Sequence, residues 1–164
     1  DSVKKLAAEG KPVLGICNGF QVLTEAGLLN GALTTNEYPK FRCHWSYLRV
    51  ETVDTPFTSK FRKGEVVRMP VAHMEGQFYA EEATLADLDE NERVVFRYVD
   101  EAGKLTDEVN PNGSLENIAG IVNETRNVLG LMPHPEHAME PAIGGTDGLA
   151  ILGSLVDSVG GAER

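Results

Sequence analysis

The sequence predicts an α/β fold: one domain spanning residues 1–164, with an open mixed sheet flanked by helices. Three observations carry this. A short apolar run bounded by glycine, "PVLGI" (Pro12–Ile16), leads directly into a helical pattern. The middle of the chain is a series of short β-rich runs separated by turn residues. The end returns to apolar residues at helical spacing.

Taken in order, the chain opens on "DSVKKLAAEG", read as a helix whose apolar stripe is Val3, Leu6 and Ala7. Gly10 sits where a left-handed cap ends such a helix, and Pro12 prevents its continuation. Pro12–Ile16 reads as a buried strand of a parallel sheet. "NGFQVLTEAG" then places Phe20, Leu23 and Ala26 on one helical face, closed by Gly27. Residues 30–40, with Gly, Asn and Pro, read as a loop.

Five strands follow: Tyr47–Thr52, Glu65–Met74, Arg93–Asp100, Ile118–Glu124 and Val128–Pro133. "NETRN" between the last two predicts a hairpin loop, and "NPNGS" (Asn110–Ser114) a turn. Glu81–Asn91 predicts an acidic, solvated surface helix. In the last helix, Thr146 or Asp147 is the expected cap, and Leu149, Leu152, Leu155, Val156 and Val159 the expected buried face.

Composition narrows the function classes. The formal net charge of −10 argues against a nucleic-acid-binding surface and against attraction to anionic membranes. No apolar stretch reaches the length of a membrane span, and the charged opening is not a secretory signal. Two cysteines do not make a disulfide framework, so both are expected as reduced thiols in a cytoplasm.

One of them, Cys17, stands between glycines in Gly15-Ile16-Cys17-Asn18-Gly19. A cysteine there has two readings. It can pack as a small core hydrophobe. It can also be a nucleophile on a sharp strand-to-helix turn, with sulfur in place of the usual hydroxyl. Such a turn needs glycine neighbours because the backbone is strained and crowded. It sets the thiol at a helix N-terminus, which favours thiolate, and leaves the Asn18 N–H free to meet an oxyanion.

A cysteine nucleophile needs a base, itself oriented by a third group. Of the four histidines, His134 has the suggestive setting, Pro133-His134-Pro135-Glu136, just past the apolar strand "VLGLM". Active sites gather at strand C-terminal ends in open sheets. Glu136 can turn back to one ring nitrogen and set the tautomer.

"GICNGFQVL" followed far downstream by "MPHPE" resembles the triad glutaminase domain of class I glutamine amidotransferases, a flavodoxin-like fold. "FRCHWSYLRVE", "DTPFTS", "PVAHMEGQFYA" and "NPNGSLENIAGI" narrow the resemblance to the glutaminase subunits of phosphoribosylformylglycinamidine synthase, over essentially the whole chain. The resemblance implies that Cys17 attacks the side-chain amide of glutamine, His134 shuttles protons and Glu136 orients it. It implies further that Gly15 and Asn18 belong to the elbow and oxyanion site, and that Gln21 supports the glutamine pocket. Asn36, Phe41 and Arg42 fall in the family's substrate-side loop. His73 and Glu75, in "AHMEG", are candidates to face the glutamine site or a partner, against a purely structural histidine.

The resemblance also implies partners: a synthetase subunit that converts formylglycinamide ribonucleotide to the amidine with ATP and Mg, and a small accessory subunit. No cofactor or metal is expected in this chain. A zinc site from Cys17, Cys43, His44 and the His134/His137 pair lacks supporting spacing. Cys43 is expected to be structural, and Phe57 and Phe61 to pack as a satellite cluster. His44 stands where the family usually has Arg, which leaves open any contact from that position. The family's N-terminal strands, with a glycine-rich loop carrying the second oxyanion donor, are expected before Asp1. Two other readings stand beside this one: a catalytically silent docking module of the same shape, and another class I amidotransferase or Cys–His hydrolase.

Overall fold

The computed structural model describes residues 2–37 and 40–160. Its centre is a six-stranded mixed sheet. In chain order the strands are β1 (Val13–Ile16), β3 (Arg42–Val50), β4 (Val66–His73), β6 (Val94–Val99), β7 (Ile118–Val122) and β8 (Val128–Leu131). Across the sheet the order is β1-β8-β7-β6-β3-β4. A two-stranded ribbon, β2 (Ala32–Thr34) with β5 (Gln77–Tyr79), stands apart from it. Helices α1 (Ser2–Ala8), α2 (Asn18–Glu25), α3 (Glu82–Glu90) and α4 (Gly148–Gly160) complete the domain.

The mixed sheet matches the expectation, but its parallel part is confined to β1 with β8; every other pairing is antiparallel. β6, β7 and β8 are buried at every position, as unbroken apolar strands covered on both faces should be. One face carries Phe57, Met69, Tyr98, Leu131 and Ile151; the other carries Phe20, Phe78, Leu88, Ile121 and Val128. β1 is different. It forms an edge, and three of its four residues are only half-buried, so the expectation of a buried strand is corrected.

Further corrections concern faces. In α1 only Ala7 is buried; Val3 and Leu6 are exposed. In α4 the buried positions are Gly148, Ile151 and Ser154, while Leu149, Val156 and Val159 are exposed. The contact surface is tight there: Ser154 Oγ accepts the Lys60 N–H at 3.1 Å, so a small polar residue faces inward. The Asp147 carboxylate accepts the Arg68 N–H of edge strand β4 at 2.7 Å. Phe57 and Phe61 lie in the main core, with Phe61 edge-on to Phe96 at 6.1 Å. The loop expected over residues 30–40 contains β2; Tyr38 and Pro39 lie outside the described residues.

The acidic helix α3 is more than a solvated face. Leu88 is fully buried, Asp87 pairs with the buried Arg93, and Asp89 pairs with Arg97. Gly10 has φ +73°, the left-handed cap expected after α1.

Candidate active site

The sheet curls so that its two edges meet. Cys17, just past β1, brings its sulfur 3.8 Å from the carbonyl oxygen of Ala72 on β4. His134, just past β8, donates its backbone N–H to Pro70 O of β4 at 2.8 Å. The outer edge of β4 would otherwise be a row of unpaired groups; here it becomes a wall of the site.

Cys17 has φ 52° and ψ −109°, a conformation that costs a non-glycine residue about 1–3 kcal/mol and persists only when its surroundings enforce it. The enforcement is visible. Its N–H donates to Leu131 O at 2.8 Å, and its carbonyl accepts the Phe20 N–H at 2.9 Å. Gly15 is required because a Cβ there would lie 2.5 Å from Leu23 Cδ1 and 2.7 Å from the Gly19 carbonyl carbon. Gly19 is not required in the same way, since a Cβ on it meets nothing within 4 Å. The crowding that the sequence assigned to both glycines therefore rests on Gly15 alone. Asn18 is the first helical residue, so its N–H has no intrahelical acceptor and is available to an anion.

The His134 Nδ1 meets Glu136 Oε1 at 2.6 Å, short enough for a charge-assisted hydrogen bond. Two prolines and a short 3-10 turn (Pro135–His137) fold the carboxylate back onto the ring. The His134 Nε2 is buried without a closed hydrogen bond. Its neighbour is Cys17, and contact with that side chain is the leading cause that pushes the imidazole up to about 9, ahead of the Glu136 contribution. Burial opposes the rise. A ring set between a sulfur and a carboxylate, with its charged form favoured, is the arrangement that lets an imidazole take and hold a thiol proton.

A cleft of about 590 Å³ opens over these groups, lined among others by Cys17, Asn18, Phe41, Ala72, Met74 and Glu75. His73 also lines it but is buried at 3% exposure, and burial, then His134 and His44, pull its imidazole down to about 4. Neighbouring histidines are thus driven apart, one neutral and one charged, the pattern expected of an assigned acid–base group beside a structural one. Asn112 Nδ2 stands 3.4 Å from the His73 Nε2.

The other sequence candidates separate. Phe41 is exposed on the rim of the cleft. Arg42 begins β3 and faces a neighbouring cavity of about 680 Å³ with Glu37 and Asn110. Asn36 is buried and ties loop to strand, donating to His73 O at 3.1 Å and accepting the Gly76 N–H at 2.9 Å. Gln21 bonds Glu25 along α2 at 3.1 Å and does not line the cleft. Cys43, expected to be structural, is exposed on β3.

His134, Glu136 and His137 bring one donor atom each within 4.8 Å of one another, a set that could hold a cation. Cys17, Cys43 and His44 do not join it. What the sequence reading missed is the backbone: the Ala72 carbonyl and the β4 edge carry no side-chain signature. Asn112, which the sequence shows only as turn chemistry, lines the neighbouring cavity and stands behind the cleft against His73.

A cysteine elbow on an α/β sheet, faced by a histidine with its own carboxylate, defines a class: the amidotransferase-type α/β domain. The CobB/CobQ-like glutamine amidotransferase domain model matches residues 1–143. Phosphoribosylformylglycinamidine synthase subunit PurQ of Methanosarcina barkeri is 79% identical over 97% of this chain and 68% of its own length. The same subunit of Methanosarcina acetivorans is 77% identical over the same shares. Among solved structures, PurLQS from Thermotoga maritima superposes with a TM-score of 0.81 at 45% identity, over 96% of this chain and 66% of that one. The chain thus spans about two thirds of the length of these relatives. It belongs to the glutamine amidotransferases, in the family of phosphoribosylformylglycinamidine synthase PurQ subunits. Among the described residues no helix is long and apolar enough to cross a membrane.

Proposed function

We propose that this chain, as one glutamine amidotransferase domain, hydrolyses glutamine and supplies the ammonia to a synthetase subunit. That partner converts formylglycinamide ribonucleotide to formylglycinamidine ribonucleotide with ATP and Mg, in purine biosynthesis in the cytoplasm, with a small accessory subunit. The reading draws its partner chemistry from the PurQ relatives and the PurLQS structure.

The observation that carries the chemistry is the His134 Nδ1–Glu136 contact at 2.6 Å, with the opposite ring nitrogen turned to Cys17 in a strained elbow. The Cys17 sulfur, as thiolate, attacks the amide carbon of glutamine. The carbonyl oxygen takes the negative charge, and the Asn18 N–H supplies one donor to it. The C–N bond then breaks, and the departing nitrogen takes the proton from His134 to leave as ammonia. A thioester to Cys17 remains. His134, now neutral, takes a proton from water, and the hydroxide attacks the thioester to release glutamate and restore the sulfur. Glu136 keeps the ring oriented in both steps and favours its charged form.

The test is ammonia release from glutamine in the complex with the synthetase partner. Cys17→Ala should abolish release and also covalent labelling by glutamine-like electrophiles. Hydrolysis or labelling that survives the substitution would overturn the reading.

A further inference from the structure

The turn after β4 is exposed at its tip yet held more firmly than an exposed turn needs. Met74 and Glu75 are exposed, while Gly76 behind them is buried. Asn36 grips the turn from one side: its N–H donates to Met74 O at 2.9 Å, and its side-chain oxygen accepts the Gly76 N–H at 2.9 Å. From the other side Asn112 Nδ2 donates to Gly76 O at 2.7 Å, and Ser114 Oγ reaches the same oxygen at 3.3 Å. Gly76 has no Cβ because one would strike the His73 ring, 2.5 Å from Nδ1. These bonds satisfy the buried backbone of Gly76. They also hold the exposed tip in one conformation, as preorganising a group for a ligand requires.

The group so presented is a carboxylate. Among the residues lining the cleft, Glu75 is the single acid, with apolar Phe41 and Met74 beside it. Among the described residues, no hydrogen bond or salt bridge joins Glu75 to another group. Its distance from the reacting sulfur is bounded by the chain. Ala72 O lies 3.8 Å from the Cys17 sulfur, and three residues further along a chain span at most about 10 Å. Bends at Met74 and Glu75 shorten that reach. An extended glutamine places its ammonium nitrogen roughly 5 Å from its amide carbon, from bond lengths of this order. A substrate with its amide at Cys17 thus keeps its ammonium within roughly 5 Å of the reacting carbon, inside the cleft that Glu75 lines.

We propose that Glu75 recognises the α-ammonium group of the substrate, on a turn that Asn36 and Asn112 hold ready. The inference rests on the reading of the cleft as a glutamine site. Recognition by an ionic hydrogen bond here acts on the non-reacting end of the substrate, so it lowers KM and excludes amides that lack the amine.

The test compares two substrates in the complex with the synthetase partner: glutamine, and 4-carbamoylbutanoate, which is glutamine without its α-amine. The preference is read as the ratio of kcat/KM values. Glu75→Gln should cut the wild-type preference for glutamine about tenfold or more, the size of one ionic contact, with the change carried by KM. Glu75→Asp should restore part of it. An undiminished preference in Glu75→Gln overturns the inference, including when KM rises equally for both substrates. Cys17→Ala in the same preparation separates the two levels of argument. If it still hydrolyses glutamine, the site reading fails. If it is inert while Glu75→Gln keeps its preference, only the Glu75 assignment fails.

Discussion

His73→Gln is expected to remove a large part of this protein's sensitivity to acid. In the folded chain the His73 imidazole is pulled from 6.5 to about 4, with burial as the main cause and the charges of His134 and His44 next. Its Nε2 faces Asn112 and its ring lies on Gly76, so the neutral form fits, and among the described residues no carboxylate forms a salt bridge with it. A lowered folded pKa means that the unfolded chain takes up the proton first as pH falls. Stability is therefore fully present above 6.5 and is lost as pH falls toward 4. Between pH 7.5 and 4.5 these two values correspond to a loss of about 2–3 kcal/mol from this residue. That is a large share of the ~5–15 kcal/mol that holds a typical domain together. Gln stays neutral throughout and can still accept from Asn112. Urea unfolding followed by fluorescence of Trp45, the single tryptophan, at a series of pH values measures the difference. The comparison is between slopes, since packing changes shift both ends equally. Parallel loss of stability in wild type and variant would show that His73 is not held neutral, and the reasoning would be wrong.

Two further outcomes follow from the site. Hydrolysis of glutamine should decline on the alkaline side as pH rises through about 9, because His134 must hold a proton to give to ammonia. Glu136→Gln should slow turnover by roughly 10²-fold, less than the ~10⁴ of a fully buried triad carboxylate because Glu136 is partly open to water. The His134 midpoint, followed by NMR, should move downward in that variant; an unmoved midpoint would refute the Glu136 contribution. At the elbow, Gly15→Ala should destabilise by about 1–3 kcal/mol through overpacking against Leu23 and Gly19. Gly19→Ala should be tolerated within about 1 kcal/mol, since alanine favours the helix and meets open space. Equal damage from the two alanines, seen in thermal unfolding, would count against this account of the turn.

The parts legible in advance were those with a local signature. Short β-rich runs between turn residues marked β3, β4, β6, β7 and β8, and "NETRN" marked their last hairpin, because strand composition and turn chemistry are local properties. β2 and β5 escaped notice because three residues are too few to show a period. The inward face of α4 was misread for a different reason. Apolar residues were assigned inward, but close approach to neighbouring backbone favours the small Gly148 and Ser154, leaving Val156 and Val159 outside. Only the partner surface carries that information.

For the candidate site, the sequence by itself singled out the proposed nucleophile, base and orienting residue. Gly15, Cys17 and Asn18 are contiguous, and His134 and Glu136 are two residues apart, so their geometry is local. The tertiary structure decided which elements surround them. Cys17 meets Ala72 O, His134 binds Pro70 O, and Glu75 stands on a turn gripped by Asn36 and Asn112. Those contacts join residues 36 to 64 positions apart, mostly through backbone atoms that every residue carries alike. Nothing in the identity of Ala72 or Pro70 announces such a role; it follows from a sheet curled until its edges touch.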